Sequence, residues 1–325
     1  MAATVLLPLF ILLLAGLGAC SAANFSSLLV FGDSTVDTGN NNYISTSFKA
    51  NHVPYGVGFP GKIPTGRFSD GLLVPDMLLS ELGIGQLLPP FLKPNISGDD
   101  LRRGVSFASA GSGFDEVTAA SSGVISVPKQ VDMFKQYIVR LKSAAGRRRP
   151  QGSSVRRSFS SAPPPMTSLS ASTTPREERQ LHHHPQVYDL GGRRFLVWGI
   201  SPIGCGPLQI TMKLLSLLER SCVENENADT VVFNSKLQAL LGKLQKDLPE
   251  SKFSFADLYA AATDIFQQPQ KYGFVEARRG CCGTGLMEAG ELCSSLTPTC
   301  PTPPSSSSST PSTPPRPSTR SSRRT

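Results

Sequence analysis

A chain of 325 residues can hold one large α/β domain or two smaller ones. Its hydrophobic fraction of 39% falls below the ~45–50% of ordinary globular domains. Its net charge of +8 comes from two segments: seven Arg against two Glu in residues 146–180, and four Arg with no acid in residues 301–325, which leaves the rest at −1. Those segments contain a single aromatic, Phe159, so they lack the basic face interleaved with aromatics that nucleic-acid binding needs, and no nucleic-acid partner is expected.

In chain order, residues 1–23 read as a secretory signal peptide. An apolar run over 5–17, too short to cross a bilayer, precedes the small residues Ala19, Cys20, Ser21, Ala22 and Ala23. No later stretch reaches 18 apolar residues, so no integral membrane segment is expected. Residues 27–31 form a short apolar run ending at Gly32, a strand by length and flanks. A short helix is expected over 75–82, with Pro75 in its first turn. Residues 104–108 lead into the glycine-rich Ala110-Gly111-Ser112-Gly113. Val131, Phe134, Ile138 and Leu141 recur at helical spacing and predict an amphipathic helix over 128–141.

The rhythm breaks at 146–180, which is rich in Ser, Pro and Arg and has neither helical nor strand periodicity. It resumes with a buried strand over 194–198. A long helix follows, marked by Val232, Leu237, Leu240, Leu241, Leu244 and Leu248, and then a strand over 252–257. Alternation of strand and helix predicts a parallel sheet covered on both faces. Residues 301–325 are almost wholly Pro, Ser, Thr and Arg. Both Ser/Pro/Arg segments bury too little apolar surface to offset the entropy of ordering and are expected to be disordered.

Without Cys20, six cysteines remain: Cys205, Cys222, Cys281, Cys282, Cys293 and Cys300. An even count with no CxxC pair and no His among them fits disulfides in an oxidising compartment rather than a metal site, so no metal is expected. Cys205 is expected to pair with Cys222. Cys281 and Cys282 are expected to pair toward Cys293 and Cys300, in an order the sequence leaves open. Asn24-Phe25-Ser26 and Asn95-Ile96-Ser97 are N-glycosylation acceptors.

The strongest local motif is Phe31-Gly32-Asp33-Ser34 directly after a strand, followed by Thr35-Val36-Asp37-Thr38-Gly39-Asn40-Asn41. A serine there lies at the carboxyl end of a parallel strand, where α/β folds place their ligand crevice. The run resembles the opening block of plant GDSL esterase/lipases of the SGNH hydrolase superfamily. Further blocks follow in order: Pro54-Tyr55-Gly56, residues 64–71 (PTGRFSDG), residues 104–113 (GVSFASAGSG), residues 199–207 with their Pro-x-Gly-Cys turn, and Gly280-Cys281-Cys282-Gly283-Thr284-Gly285. The likeness covers 27–140 and 191–300.

The resemblance implies a three-layer α/β/α, flavodoxin-like parallel sheet with strand order 2-1-3-4-5, spanning 24–300 and interrupted by an insert at about 146–185. It also implies hydrolysis of acyl or lipid esters without a cofactor, by a secreted monomer. Ser34 would be the nucleophile that forms an acyl-enzyme. The oxyanion would be met by the N–H groups of Ser34 and Gly111 and by an Asn side chain. A His, held by an Asp three residues before it, would act as base.

Only Ser34 and Gly111 have counterparts here. The family's third block, Gly-x-Asn-Asp on the central strand, has none: no Asn-Asp pair occurs anywhere in the chain, and no Asp has a His three residues later. The four histidines are His52, in a Pro/Gly-rich loop, and His182, His183 and His184, beside the Ser/Pro/Arg segment. No general base and no base-orienting Asp are identified, and the central strand is expected to be lost. The alternative reading is therefore an inactive or truncated relative with a binding role or none. Each anomalous segment begins abruptly and replaces a family block, with the composition that a GC-rich coding region gives when read out of frame or through a retained intron.

Overall fold

A computed structural model describes residues 25–113, 116–146, 166–170, 183–213, 220–275, 277–282 and 293–299, with backbone alone at 118, 145–146, 166–170, 183–185 and 208. The expected signal peptide, the 301–325 tail, and residues 147–165 and 171–182 of the insert lie outside the described residues.

Five strands, β1 (Leu28–Phe31), β2 (Gly104–Ser106), β3 (Met166–Ser170), β4 (Arg194–Trp198) and β5 (Lys252–Ala256), form one sheet in the order β2-β1-β3-β4-β5. Every neighbouring pair is parallel. This is the expected order, with one correction. The central position is filled, by five residues from the segment expected to hold no strand: Leu28–Phe31 align with Met166–Leu169, and Met166–Ser170 align with Arg194–Trp198. The physical reason is the ladder. A gap there would strand two rows of backbone N–H and C=O groups, at about 1–3 kcal/mol for each one buried unpaired.

Eight α-helices accompany the strands: α1 (Val74–Glu81), α2 (Gly98–Arg103), α3 (Glu116–Ser121), α4 (Val127–Gly146), α5 (His183–Asp189), α6 (Pro207–Met212), α7 (Glu224–Asp247) and α8 (Leu258–Gln267) among the described residues. α5 begins at His183, so the expected disorder of the insert is corrected at its end as well. β1 shows how the layers arise. Its four residues are all buried, and successive side chains point to opposite faces. Leu29 and Phe31 join Phe107, Phe134, Tyr137, Val187, Phe195, Phe233 and Leu237 on the face covered by α4, α5 and α7. Leu28 and Val30 meet Leu79 of α1, Leu88 and Val36 on the other face.

The amphipathic helix expected over 128–141 is α4, with Val131 and Phe134 buried and Ile138 and Leu141 packed against the core. Its Phe134 meets the ring of Phe31 edge-on at 5.8 Å, and Phe107 lies 4.9 Å from Phe31. α7 starts well before the expected stripe. Its buried positions begin with Asn227, Thr230, Phe233 and Asn234, whereas Val232 is 54% exposed and belongs to the solvent side. No helix among the described residues is long and apolar enough to cross a membrane.

Candidate active site

Beyond β1 the chain turns at Gly32 (φ 145°) into Asp33 and Ser34. Asp33 is buried and shapes that turn, its Oδ1 accepting Thr35 N–H at 2.8 Å and Thr35 Oγ1–H at 2.6 Å. Ser34 is half-buried. The second strand leaves the sheet alongside: Phe107 N–H donates to Val30 O at 2.7 Å and Ser109 N–H to Gly32 O at 3.1 Å. The Ser34 and Gly111 segments thus emerge side by side at the carboxyl end of the sheet. Gly111 is exposed with φ +79°, a conformation that glycine adopts without penalty, over the ring of Phe48. Among the described residues, neither its N–H nor that of Ser34 is committed to a hydrogen bond.

Side chains to which the sequence assigned no role lock the two segments together. Asp37 is fully buried; its Oδ1 accepts Gly39 N–H at 2.8 Å and Asn40 N–H at 2.7 Å, and its Oδ2 accepts Ala110 N–H at 3.0 Å. Burial raises its pKa to about 6, against the lowering effect of these N–H groups. Asn40 Nδ2 donates to Ser106 O and Ala108 O, both at 2.8 Å. Asn41 Nδ2 donates to Phe48 O and Ala110 O, both at 3.0 Å, and its Oδ1 accepts the Ser109 hydroxyl at 2.5 Å. From α4, the fully buried Gln130 accepts Gly32 N–H at 2.8 Å and donates to Gly32 O at 2.9 Å and Ser112 Oγ at 3.0 Å. The only sequence signal for these roles is that Asp37, Asn40 and Asn41 stand in the run after Ser34.

The remaining components are placed as follows. Residues 64–71 are structural: Arg67 pairs with Asp76 of α1 at 2.8 Å and 2.7 Å inside the protein. β3 ends at Ser170, aligned with Trp198, and residues 166–182 contain neither Asn nor Asp. His52 bonds through Nδ1 to its neighbour Val53 O at 3.0 Å and packs on Tyr55 with ring centres 5.4 Å apart. His182 lies outside the described residues, and the backbones of His183 and His184 open α5. Ser34 Oγ has no hydrogen-bond partner among the described residues.

Two disulfides lie wholly within the described residues. Cys205 is bonded to Cys222, as expected, and the order left open at the second cluster resolves with Cys282 bonded to Cys293. Cys281 is disulfide-bonded as well.

Comparison with known proteins agrees with this architecture. The family model described as GDSL-like Lipase/Acylhydrolase matches residues 167–295. Two proteins of Arabidopsis thaliana, GDSL esterase/lipase At2g30220 and GDSL esterase/lipase At2g30310, are each 43% identical to the chain, over 85% of its length and 82% and 81% of theirs. GDSL esterase/lipase At1g06990, also of Arabidopsis thaliana, is 42% identical over the same share of the chain. The alternating parallel sheet, the serine turn at the end of β1 and this extent of identity lead to one conclusion: the chain belongs to the GDSL esterase/lipases, a family of serine ester hydrolases.

Proposed function

We propose that this chain cleaves carboxylic esters, acyl or lipid, with Ser34 as nucleophile and the N–H groups of Ser34 and Gly111 as the oxyanion donors. The observation that carries the reading is the pair of N–H groups, uncommitted among the described residues, on two segments tied by Asp37 and Asn41. Ser34 Oγ bonds to the ester carbonyl carbon while the π electrons move onto the carbonyl oxygen. The tetrahedral oxyanion collapses as its C–O bond to the leaving group breaks, the departing alkoxide takes a proton from water to become the alcohol, and a second water then releases the acid from the acyl-enzyme. The serine proton must go to solvent hydroxide or buffer, since the sequence supplies no Asp-x-x-His. A missing general base costs about 10²–10⁴ in rate.

That deficit has a signature. Hydrolysis of p-nitrophenyl butyrate is expected to be slow, to disappear in Ser34→Ala, and to rise about tenfold per pH unit without levelling near ~6.5, the ordinary histidine pKa. A plateau there would assign a base to one of the histidines and overturn the solvent route. A Ser34→Ala rate equal to the parent's would overturn the nucleophile.

A second reading, a relative without catalysis, is favoured by the same absence of an Asn-Asp pair and an Asp-x-x-His. It predicts no Ser34-dependent turnover at any pH. Sequencing the transcript across codons 143–190 and beyond 300 separates the two histories. Both missing blocks recovered in a shifted frame or spliced form would make the gene product a complete hydrolase.

The disulfides and the exposed Asn95, in a turn just before α2, support a secreted, glycosylated protein of the extracellular space or cell wall. A peptide map of secreted material should show glycan at Asn95.

A further inference from the structure

Gly111 N–H belongs to the peptide group whose carbonyl is that of Ala110. In a trans peptide the C=O and N–H point in opposite directions, so whatever holds the Ala110 oxygen aims the Gly111 hydrogen. Asn41 Nδ2 holds that oxygen at 3.0 Å. The other side of Ala110 is held too, its N–H on Asp37 Oδ2 at 3.0 Å. Asn41 is 1% exposed, and the two remaining polar contacts of its side chain, Phe48 O and Ser109 Oγ, fix its amide plane. Ser109 Oγ is itself fixed, accepting Ile125 N–H at 3.1 Å.

We propose that Asn41 is a positioning residue for ester hydrolysis: it orients the Ala110–Gly111 peptide so that Gly111 N–H faces the developing oxyanion. A hydrogen bond on the carbonyl also polarises the peptide and strengthens its N–H as a donor. The side chain that aims the second oxyanion donor therefore comes from the segment carrying the nucleophile, seven residues after it, so serine and donor are set in one frame. This inference rests on the assignment of Ser34 and Gly111 given above.

A residue that only staples two loops and one that aims a donor differ in what they do to the carbonyl atom. Replacing the ester C=O by C=S removes the oxygen that the N–H groups are placed to meet. With Asn41→Ala and the isosteric Asn41→Asp, kcat for p-nitrophenyl butyrate is expected to fall about 10–100-fold, the scale of a displaced catalytic group, with KM within about twofold. The rate on the matching thionoester should fall much less, so the ester-to-thionoester ratio drops at least about tenfold. Equal losses on both substrates would make Asn41 purely structural and overturn the proposal, as would no loss on either.

The Gly111 amide resonance in a ¹⁵N–¹H spectrum tests the aim of the peptide without turnover. It should shift or broaden in Asn41→Ala while the Gly104 amide stays in place, and an unmoved Gly111 signal overturns the proposal even if neither variant is active. The parent and Ser34→Ala run beside these variants: equal rates in that pair sink the assignment of the nucleophile, whereas a Ser34-dependent rate with an unchanged ratio sinks only the role of Asn41.

Discussion

Asp37 spends its carboxylate on backbone N–H groups alone, in a place with no solvent exposure. Burial wins over those hydrogen bonds and lifts its pKa from 3.8 to about 6. The folded protein therefore holds this proton more tightly than the unfolded chain. The resulting stabilisation is fully present below pH ~3.8 and is lost as pH rises through about 6, on the order of 3 kcal/mol at ~1.36 kcal/mol per unit. The parent should lose about 2.4 kcal/mol more between urea melts at pH 4 and pH 7 than Asp37→Asn, whose amide does not titrate. Equal pH slopes would show that Asp37 titrates normally. Asp37→Asn is also expected to be less stable at every pH, because whichever way the amide faces, at least one of the three N–H groups loses its acceptor, at about 1–3 kcal/mol. The sequence displays Asp37 and Asn41 but not their work, because their partners Ala110 and Ser109 lie about seventy residues away and are mostly backbone atoms.

At the scale of elements, the block at 64–71 shows how a family-like motif can be structural. Arg67 reaches Asp76 through two hydrogen bonds, and Asp76 also accepts Leu73 N–H at 3.0 Å and Leu88 N–H at 2.9 Å, joining the start of α1 to the strand-like segment before Phe91. Arg67→Ala leaves a carboxylate with no exposure and no counter-charge, so a loss of about 3–5 kcal/mol is expected in urea unfolding. A loss under about 1 kcal/mol would mean that water enters and takes over the pair's role.

α7 carries a different lesson. The stripe expected from the sequence begins at Val232, which faces solvent, and misses the inward start of the helix, because the inward positions of its first two turns are Asn227 and Thr230. Asn234 shows why polar residues can sit inward: its amide accepts Ile200 N–H and donates to Ile200 O, both at 2.8 Å, closing the backbone just past β4. Burial periodicity counts apolar residues, so a helix that buries amides against backbone is read short.

For the whole molecule, the sheet depends on β3. Met166–Ser170 has two apolar residues in five, whereas a central parallel strand usually reads as a continuous apolar run. Its neighbours on either side supply the ladder that its own composition does not announce. Ser168→Pro removes a backbone donor at the middle of the central strand and is expected to abolish cooperative unfolding. Trp198, the single tryptophan, is 6% exposed and aligned with Ser170, so its fluorescence reports the transition directly. An unchanged melt in that variant would remove β3 from the centre of the sheet.

The sequence by itself determined the α/β alternation, the strand order expected from the family resemblance, the Cys205–Cys222 bridge, and the location of Ser34 and Gly111 beyond their strands. These are local signals: apolar runs, helical spacing, glycines and short motifs. Tertiary structure alone decided that Met166–Ser170 completes the sheet, that Arg67 serves Asp76, and that Asp37 and Asn41 join the Ser34 segment to Gly111. Each depends on backbone groups or charges remote in sequence whose need for a partner exists only once the chain has folded around them.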